Sequence, residues 1–142
     1  MKFVCNININ KSINEVVAHF EDPESLKQSQ KDFIRMEHLI GNKGETGAKT
    51  KLVYKKFDLI ETIIQNTLPD AFYAKYEHKS MTNTMRTSFI VLNENKTKLT
   101  TEIHYTQFKG LFLKLISKLF PSLFKKQVDK WLERFKIYCE KQ

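Results

Sequence analysis

The sequence of 142 residues predicts an α+β domain in which a curved antiparallel sheet wraps a long C-terminal helix. Three observations support this fold class. Apolar and polar residues alternate at the start of the chain and again between positions 33 and 108, as in strands with one buried face. The intervals between these strands are too short for crossover helices, so neighbouring strands must pair antiparallel. Beyond position 109 the apolar period becomes that of a helix.

Local signals define the first strand and two short helices. Apolar residues at every second position of 3–9 predict a strand with one buried face. Ser12 and Glu15 form a capping box, in which each side chain satisfies the backbone amide of the other residue. Asp22 as N-cap and Pro23 at the first helical position begin a second helix. We therefore predict two short helices between the first and second strands.

Six further strands are predicted where the apolar period is two. Their ranges are 33–40, 47–55, 58–66, 71–79, 85–92 and 98–107. Residues that favour turns mark the connections at 41–47, 68–70 and 93–96. With the first strand the predicted sheet has seven strands, and a twisted sheet of that size curls around the helix that covers one of its faces.

The C-terminal segment is predicted to form one long helix, bent or broken at Pro121. Its apolar stripe comprises Phe112, Leu115, Ile116, Leu119, Leu123, Val128, Trp131, Leu132, Phe135 and Tyr138. Residues 108–120 are apolar nearly all round, apart from Lys109, Lys114 and Lys118. This pattern fits a helix that the sheet buries on most sides, or a basic helix on a membrane surface. We favour burial, because buried helices are apolar all round.

Composition and charge exclude several classes of protein. Hydrophobic residues make up 41% and charged residues 28% of the chain, a globular rather than a disordered balance. No apolar run approaches the roughly 20 residues that span a bilayer. The first residues lack the apolar stretch of a signal peptide, so we expect a cytoplasmic protein with Cys5 and Cys139 reduced. The net charge of +8 lies mostly on the C-terminal segment, without residues for reading or stacking bases, so nucleic acid is not an expected partner.

Four groups of residues follow one another in a recognisable order. They are Ile9, Ser12, Val16-Val17 and Asp22 around the first helix; Gly44 and Gly47 before a strand; Lys98-Leu99-Thr100 in the last strand; and the terminal helix from Gly110 through Trp131-Leu132 to Glu140. This order resembles the START/polyketide-cyclase/pollen-allergen (SRPBCC) superfamily. In the third group, Lys96-Thr97 stands where that family usually has Gly-Thr.

The resemblance covers the whole chain and implies a single domain, residues 1–142, with the helix-grip fold. It also implies a cavity between the sheet and the C-terminal helix. Such a cavity holds a small apolar or amphipathic molecule, such as a lipid, which the protein binds or transports. It does not imply a reaction, because one fold hosts many functions.

Strand alternation predicts which side chains line this cavity. On the strand at 58–66, Ile60, Thr62 and Ile64 are predicted to face inward and Glu61 outward, whereas the strand at 85–92 allows either face. Our candidate ligand-binding residues are His38, Tyr54, Thr62, Tyr76, His78, Phe89, Tyr105, Phe112 and Ile116. A few polar groups in an apolar lining orient a ligand. The alternative is that Tyr and Thr at these positions are ordinary strand formers.

No set of residues predicts catalysis. His38 and His78 are the candidates that can titrate near neutral pH, but no carboxylate is predicted on the same face to orient either ring. The four His and two Cys lack the spacing of metal ligands. We therefore expect ligand binding without a cofactor or a metal. Two alternatives stay open: a cyclase or hydrolase that uses inner-face Tyr or His, and a membrane-surface or partner-binding module based on the C-terminal helix.

Overall fold

The computed structural model describes residues 1–142, which form one antiparallel sheet and four helices. The strands are β1 (Lys2–Ile9), β2 (Phe33–Ile40), β3 (Lys49–Tyr54), β4 (Asp58–Asn66), β5 (Ala71–His78), β6 (Met81–Asn93) and β7 (Lys96–Phe108). The helices are α1 (Ile13–Glu21), α2 (Pro23–Ser29), α3 (Leu111–Leu119) and α4 (Ser122–Lys141). The predicted strands and their order are confirmed, with β6 and β7 longer than expected.

The sheet is continuous, in the order β1-β7-β6-β5-β4-β3-β2. Neighbours from β2 to β7 are consecutive in the chain, and β1 pairs with β7, where Ile7 lies opposite Leu99. The two edges are therefore β1 and β2, and α1 and α2 connect them. Leu99 and Ile103 pack into the core with α4. We call the face that carries them the concave face, because a twisted sheet curls around the helix that covers it.

Both predicted helix starts are present. Glu15 N donates to Ser12 Oγ at 3.3 Å and Ser12 N donates to Glu15 Oε2 at 3.1 Å, which completes the capping box of α1. At α2, Glu24 N donates to Asp22 Oδ1 at 2.9 Å. Pro23 occupies the first turn of α2, where a missing amide costs no helical hydrogen bond. These caps explain why two short helices form between β1 and β2.

The core lies between α4 and the β1 side of the sheet. It comprises Cys5, Ile9, Val16, Val17, Phe89, Leu99, Ile103, Val128, Leu132, Phe135 and Cys139. The four α4 members are spaced by three or four residues, so they share one side of the helix. Burial of each large apolar side chain stabilises the fold by about 1.5–3 kcal/mol. The backbone of α4 comes closest to β1, α1 and α2, and at the other edge of the concave face Met36 and His38 of β2 are exposed.

The C-terminal segment is divided at Pro121 into α3 and α4, so the predicted break is confirmed. The prediction that the sheet buries residues 111–120 is wrong, because α3 has no buried residue. A helix that is broken at a proline need not continue in the same direction. Packing of α4 on the sheet therefore does not bring α3 with it. None of the four helices is long and apolar enough to span a membrane.

β4 presents the opposite face to the predicted one. Leu59 pairs with Leu52 and Glu61 pairs with Thr50, so the odd-numbered residues of β4 up to Ile63 lie on the concave face. The inward placement of Ile60 and Thr62 is therefore wrong. Apolar residues occupy both 59–60 and 63–64, so alternation alone does not define a face. The register also shifts after Ile63, as at a β-bulge.

Candidate functional site

Six polar side chains form a continuous row across the concave face, one from each strand between β2 and β7. The Cα pairing runs through His38, Thr50, Glu61, Tyr76, Asn83 and Tyr105. Directly opposite residues in neighbouring antiparallel strands project from the same face, so these side chains stand side by side. We call them the polar row.

Apolar side chains border the polar row on both sides. One border consists of Ala48, Ile63, Ala74, Met85 and Ile103. The other includes Met36, Leu52, Leu59 and Met81. The concave face therefore presents a polar band between two apolar bands, which is an amphipathic surface.

The polar row lies on a partly exposed surface and not in the packed core. Thr50, Glu61, Tyr76 and Asn83 each keep part of their surface exposed. A close-packed interior would bury them completely. We call the concave surface of β2 to β6 beside α4 the cleft.

Glu61 and Tyr76 form the central polar contact of the cleft. Tyr76 Oη donates a hydrogen bond to Glu61 Oε2 at 2.9 Å. Burial raises the pKa of Glu61, and the hydrogen bond from Tyr76 opposes this without cancelling it. Burial and then the charge of Glu61 raise the pKa of Tyr76 well above its usual value. Tyr76 therefore remains a donor at neutral pH, and the second oxygen of Glu61 can accept a further hydrogen bond.

Two buried polar atoms have no hydrogen-bond partner in the protein: Asn83 Oδ1 and Trp131 Nε1. Asn83 is the neighbour of Tyr76 in the polar row, and Trp131 packs against the core from α4. A buried polar group without a partner costs about 1–3 kcal/mol. An unpaired acceptor in the polar row is therefore suited to receive a hydrogen bond from a bound molecule.

Aromatic side chains gather at the end of the cleft beside the β3–β4 turn. The Tyr54 and Phe57 rings stack with centroids 4.7 Å apart, and Phe57 meets His78 edge-on at 5.6 Å. Tyr54 Oη donates to Gln30 Oε1 at the end of α2, and burial raises the pKa of Tyr54. His78 Nδ1 accepts a hydrogen bond from Ser80 N at 3.1 Å. This nitrogen is therefore engaged by the β5–β6 turn.

The structure places six of the nine candidate ligand residues on the concave face, and five of them are not members of the buried core. They are His38, Tyr54, Tyr76, His78 and Tyr105. Phe89 is on the same face but is buried in the core. Thr62 lies on the convex face, where its Oγ1 accepts a hydrogen bond from Lys49 Nζ at 3.0 Å. Phe112 and Ile116 belong to α3, outside the cleft.

Glu61 and Asn83 are not among the residues predicted from the sequence. The expectation that no carboxylate lies on the inner face is wrong, because β4 turns Glu61 toward that face. In the structure, Tyr54 N donates to Phe57 O across two intervening residues, and this tight turn sets the β4 register. Asn83 lies outside the predicted 85–92 strand, which the structure extends to Met81.

Other surface features are less suited to a ligand. Two open hollows of about 430 and 380 Å³ lie along α2, outside the cleft. Charged and amide side chains dominate both, whereas small-molecule pockets are mostly apolar. No three His, Cys, Asp or Glu side chains are placed together to hold a metal ion.

No family model and no curated protein sequence matches the chain. Several solved structures do. The ZhuI aromatase/cyclase from Streptomyces sp. R1128 superposes with a TM-score of 0.80 at 7% identity, over 99% of this chain and 93% of that one. A START superfamily protein from Mycobacterium smegmatis gives 0.79 at 10% identity, over 99% and 97%. Ara h 8.0201 gives 0.75 at 10% identity, over 100% and 99%.

These similarities extend along nearly the whole chain, which agrees with the observed order of strands and helices. The sequence identities are low, and proteins with one fold carry out different chemistry. The similarities therefore assign neither a ligand nor a reaction to this chain. They confirm the fold that the sequence resemblance implied. The chain has the helix-grip fold, which it shares with these structures.

Proposed function

We propose that the cleft binds one small amphipathic molecule, with an apolar skeleton and at least one hydrogen-bond donor. The observation that carries this proposal is the polar row, which runs between two apolar bands on a partly exposed concave face. Ligand sites combine a mainly apolar lining with a few placed polar groups. The apolar skeleton covers the bands, and the polar group of the ligand meets the row.

The hydrogen-bonding capacity of the row determines which polar group suits it. Tyr76 already donates to Glu61, whose other oxygen is free to accept. Asn83 Oδ1 is a second acceptor and has no partner in the protein. Both groups need donors, so a hydroxyl or an amine on the ligand fits better than an ether or an ester. Binding such a molecule without changing it is also what a carrier of these molecules requires.

A matched pair of ligands tests this chemistry. Naphthol and methoxynaphthalene share an apolar skeleton, but only naphthol donates a hydrogen bond. We expect naphthol to bind the wild-type protein about tenfold more tightly, as expected for a hydrogen bond to a charged group. Glu61→Gln should reduce this preference, because a neutral amide oxygen is a weaker acceptor. Fluorescence titration measures both affinities.

The control for this experiment is Glu102→Gln, because Glu102 is an exposed carboxylate on β7 that pairs with Arg86 and not with a member of the row. This variant should keep the wild-type preference for naphthol. Equal affinity of the wild-type protein for the two ligands would contradict the proposed ligand chemistry. If both variants changed the preference for naphthol equally, Glu61 would not be part of the binding site.

A second candidate function is acid–base catalysis by Glu61 on the bound molecule. Burial raises the pKa of Glu61, and a carboxyl with a raised pKa is better suited to exchange protons near neutral pH. Tyr76 supplies an adjacent hydroxyl. The structural similarity to an aromatase/cyclase supports the same candidate function. The two inner-face histidines are less suited to catalysis, because each ring already has a hydrogen bond within the protein. His38 Nε2 donates to Gly41 O at 2.6 Å, and His78 Nδ1 accepts from Ser80 N in the β5–β6 turn.

Mass spectrometry of molecules extracted from the isolated protein separates binding from catalysis. If Glu61 catalyses a reaction, wild-type protein and Glu61→Gln isolated from the same cells should carry molecules of different mass, the product and its unconverted precursor. Identical molecules in both proteins would argue against catalysis and support binding alone.

A further inference from the structure

α3 exposes an apolar surface that nothing in the protein covers. Leu111 is 89% and Phe112 is 75% exposed, and Leu115 and Leu119 are each more than half exposed. No residue of α3 is buried. Exposed apolar surface that is continuous, and not scattered as single residues, usually marks an interaction site.

The exposed apolar residues form a stripe with lysines along its border. Leu111, Leu115 and Leu119 follow one another at intervals of four residues, so they lie on one side of the helix. Lys114 and Lys118 precede two of these leucines by one position and repeat at the same interval. Their side chains therefore run beside the stripe, where long lysine stems can rest on apolar surface with the ammonium groups in water.

The charge on α3 and beside it is mainly positive. Residues 103–128 contain five lysines and no aspartate or glutamate: Lys109, Lys114, Lys118, Lys125 and Lys126. Of these lysines only Lys125 has an ion-pair partner, Asp129 at 3.2 Å. A second copy of this chain would place lysines against lysines, which disfavours association through α3. The complementary surface must be apolar and anionic at the same time, and anionic lipid meets both requirements.

Both ends of α3 are attached to the same aromatic cluster. The ring centroids of Phe108, at the end of β7, and Phe124, at the start of α4, lie 5.4 Å apart. The centroid of Tyr105 lies 5.4 Å from that of Phe108 and 5.1 Å from that of Phe124. The segment between Phe108 and Phe124 thus leaves the fold and returns to the same place. Its ends are held by the cluster, and α3 between them has no buried residue.

We propose that α3 docks the protein on an anionic lipid surface, with its leucine and phenylalanine stripe in the headgroup region and its lysines against lipid phosphates. α3 lies parallel to that surface, because it is too short and too basic to cross it. The docking does not depend on a ligand in the cleft.

Sedimentation of the protein with phosphatidylcholine vesicles, with and without phosphatidylserine, tests the proposal. We expect binding to the vesicles that contain phosphatidylserine, with an affinity that falls as salt is added. Equal binding to both vesicle types, or no binding to either, would overturn the proposal. So would a concentration-dependent dimer that is lost on Phe112→Ser, because the stripe would then be covered by a second copy.

Two pairs of variants locate the docking surface. Phe112→Ser should weaken vesicle binding by about tenfold, whereas Val91→Ser, at another exposed apolar residue, should change it by less than about twofold. Lys114→Glu with Lys118→Glu should weaken binding by about tenfold or more. Lys43→Glu with Lys141→Glu makes the same change of net charge in the β2–β3 connection and at the far end of α4, and should have a smaller effect.

The α3 residues are exposed, so these variants should fold as the wild type does, and the urea midpoint verifies this. Equal losses from the α3 variants and their controls would overturn the assignment to α3. Binding to an acidic protein column without binding to vesicles would identify a protein partner and also reject a lipid surface.

Discussion

Tyr76 on β5 and Glu61 on β4 are direct cross-strand partners, and the Tyr76 hydroxyl donates to the Glu61 carboxylate at 2.9 Å. One donor compensates only in part for the water that a buried carboxylate has lost. The pair therefore combines a satisfied hydroxyl with a carboxylate that can accept more. This remaining capacity, on an amphipathic face, is the basis of the proposed ligand chemistry.

The stability of the protein should depend on pH through Glu61. Burial raises the pKa of Glu61 in the folded chain above its ordinary value of 4.5. Between pH 4.5 and the higher pKa of the folded chain, Glu61 is protonated in the folded state and ionised in the unfolded state. The stability contributed by Glu61 therefore falls as pH rises through this interval. Glu61→Gln removes this loss. Its stability relative to the wild type should therefore increase as pH rises from about 4.5.

Urea unfolding of the wild type, Glu61→Gln and Glu102→Gln across this pH range measures the effect. The Glu102 variant controls for the loss of one carboxylate on the exposed convex face. A stability difference between Glu61→Gln and the wild type that stays flat or decreases with pH would show that burial does not raise the pKa of Glu61.

The coupling between Tyr76 and Glu61 should be measurable in a double-mutant cycle. Tyr76→Phe removes the donor and leaves the carboxylate without its partner, which should destabilise the fold by about 1–3 kcal/mol. In a Glu61→Gln background the same change should cost less, because the amide needs the donor less than a carboxylate does. The expected interaction energy lies in the range of about 0.5–3 kcal/mol. Strict additivity would indicate that the hydrogen bond contributes nothing.

A pair of identical substitutions distinguishes the roles of α4 and α3. Leu132 on α4 is 1% exposed and Leu119 on α3 is 58% exposed. Leu132→Ala should lower the free energy of unfolding by about 2–5 kcal/mol. Leu119→Ala should change it by no more than about 0.5 kcal/mol. Comparable losses at the two positions would mean that α3 also packs into the core.

Hydrogen exchange should separate the same two helices. Amides of α3 should exchange faster than those of α4, because opening α3 disrupts no buried side chain. Amides near Leu132 and Phe135 should exchange only through larger openings, since these residues belong to the core. Mass spectrometry of peptides from both helices measures the rates in solution. Similar protection of the two helices would contradict the exposed position of α3.

Much of the fold could be predicted because its signals are local and repeated. The two-residue period and the short connections were sufficient for an antiparallel meander, and the capping residues Ser12 and Asp22 located both short helices. Pro121 marked the break in the terminal segment, and the structure divides the helix at that point. Each of these features acts through backbone geometry within a few residues.

The candidate site was harder to predict because it depends on register and on tertiary packing. Four apolar residues in two adjacent pairs, Leu59–Ile60 and Ile63–Ile64, left the face of β4 undefined, and the wrong choice hid Glu61. The exposure of α3 was missed for another reason. An apolar helix has the same sequence pattern whether a sheet or another surface covers it.

Binding of an apolar dye to two tryptophan variants tests the central claim about the cleft most directly. Thr50 lies in the polar row beside Glu61, whereas Thr62 lies on the convex face of the neighbouring strand. Thr50→Trp fills the cleft, and Thr62→Trp adds the same ring outside it. We expect saturable binding of one dye per chain by the wild type and by Thr62→Trp, and its loss in Thr50→Trp. Wild-type affinity in a folded Thr50→Trp protein would show that the dye does not bind in the cleft.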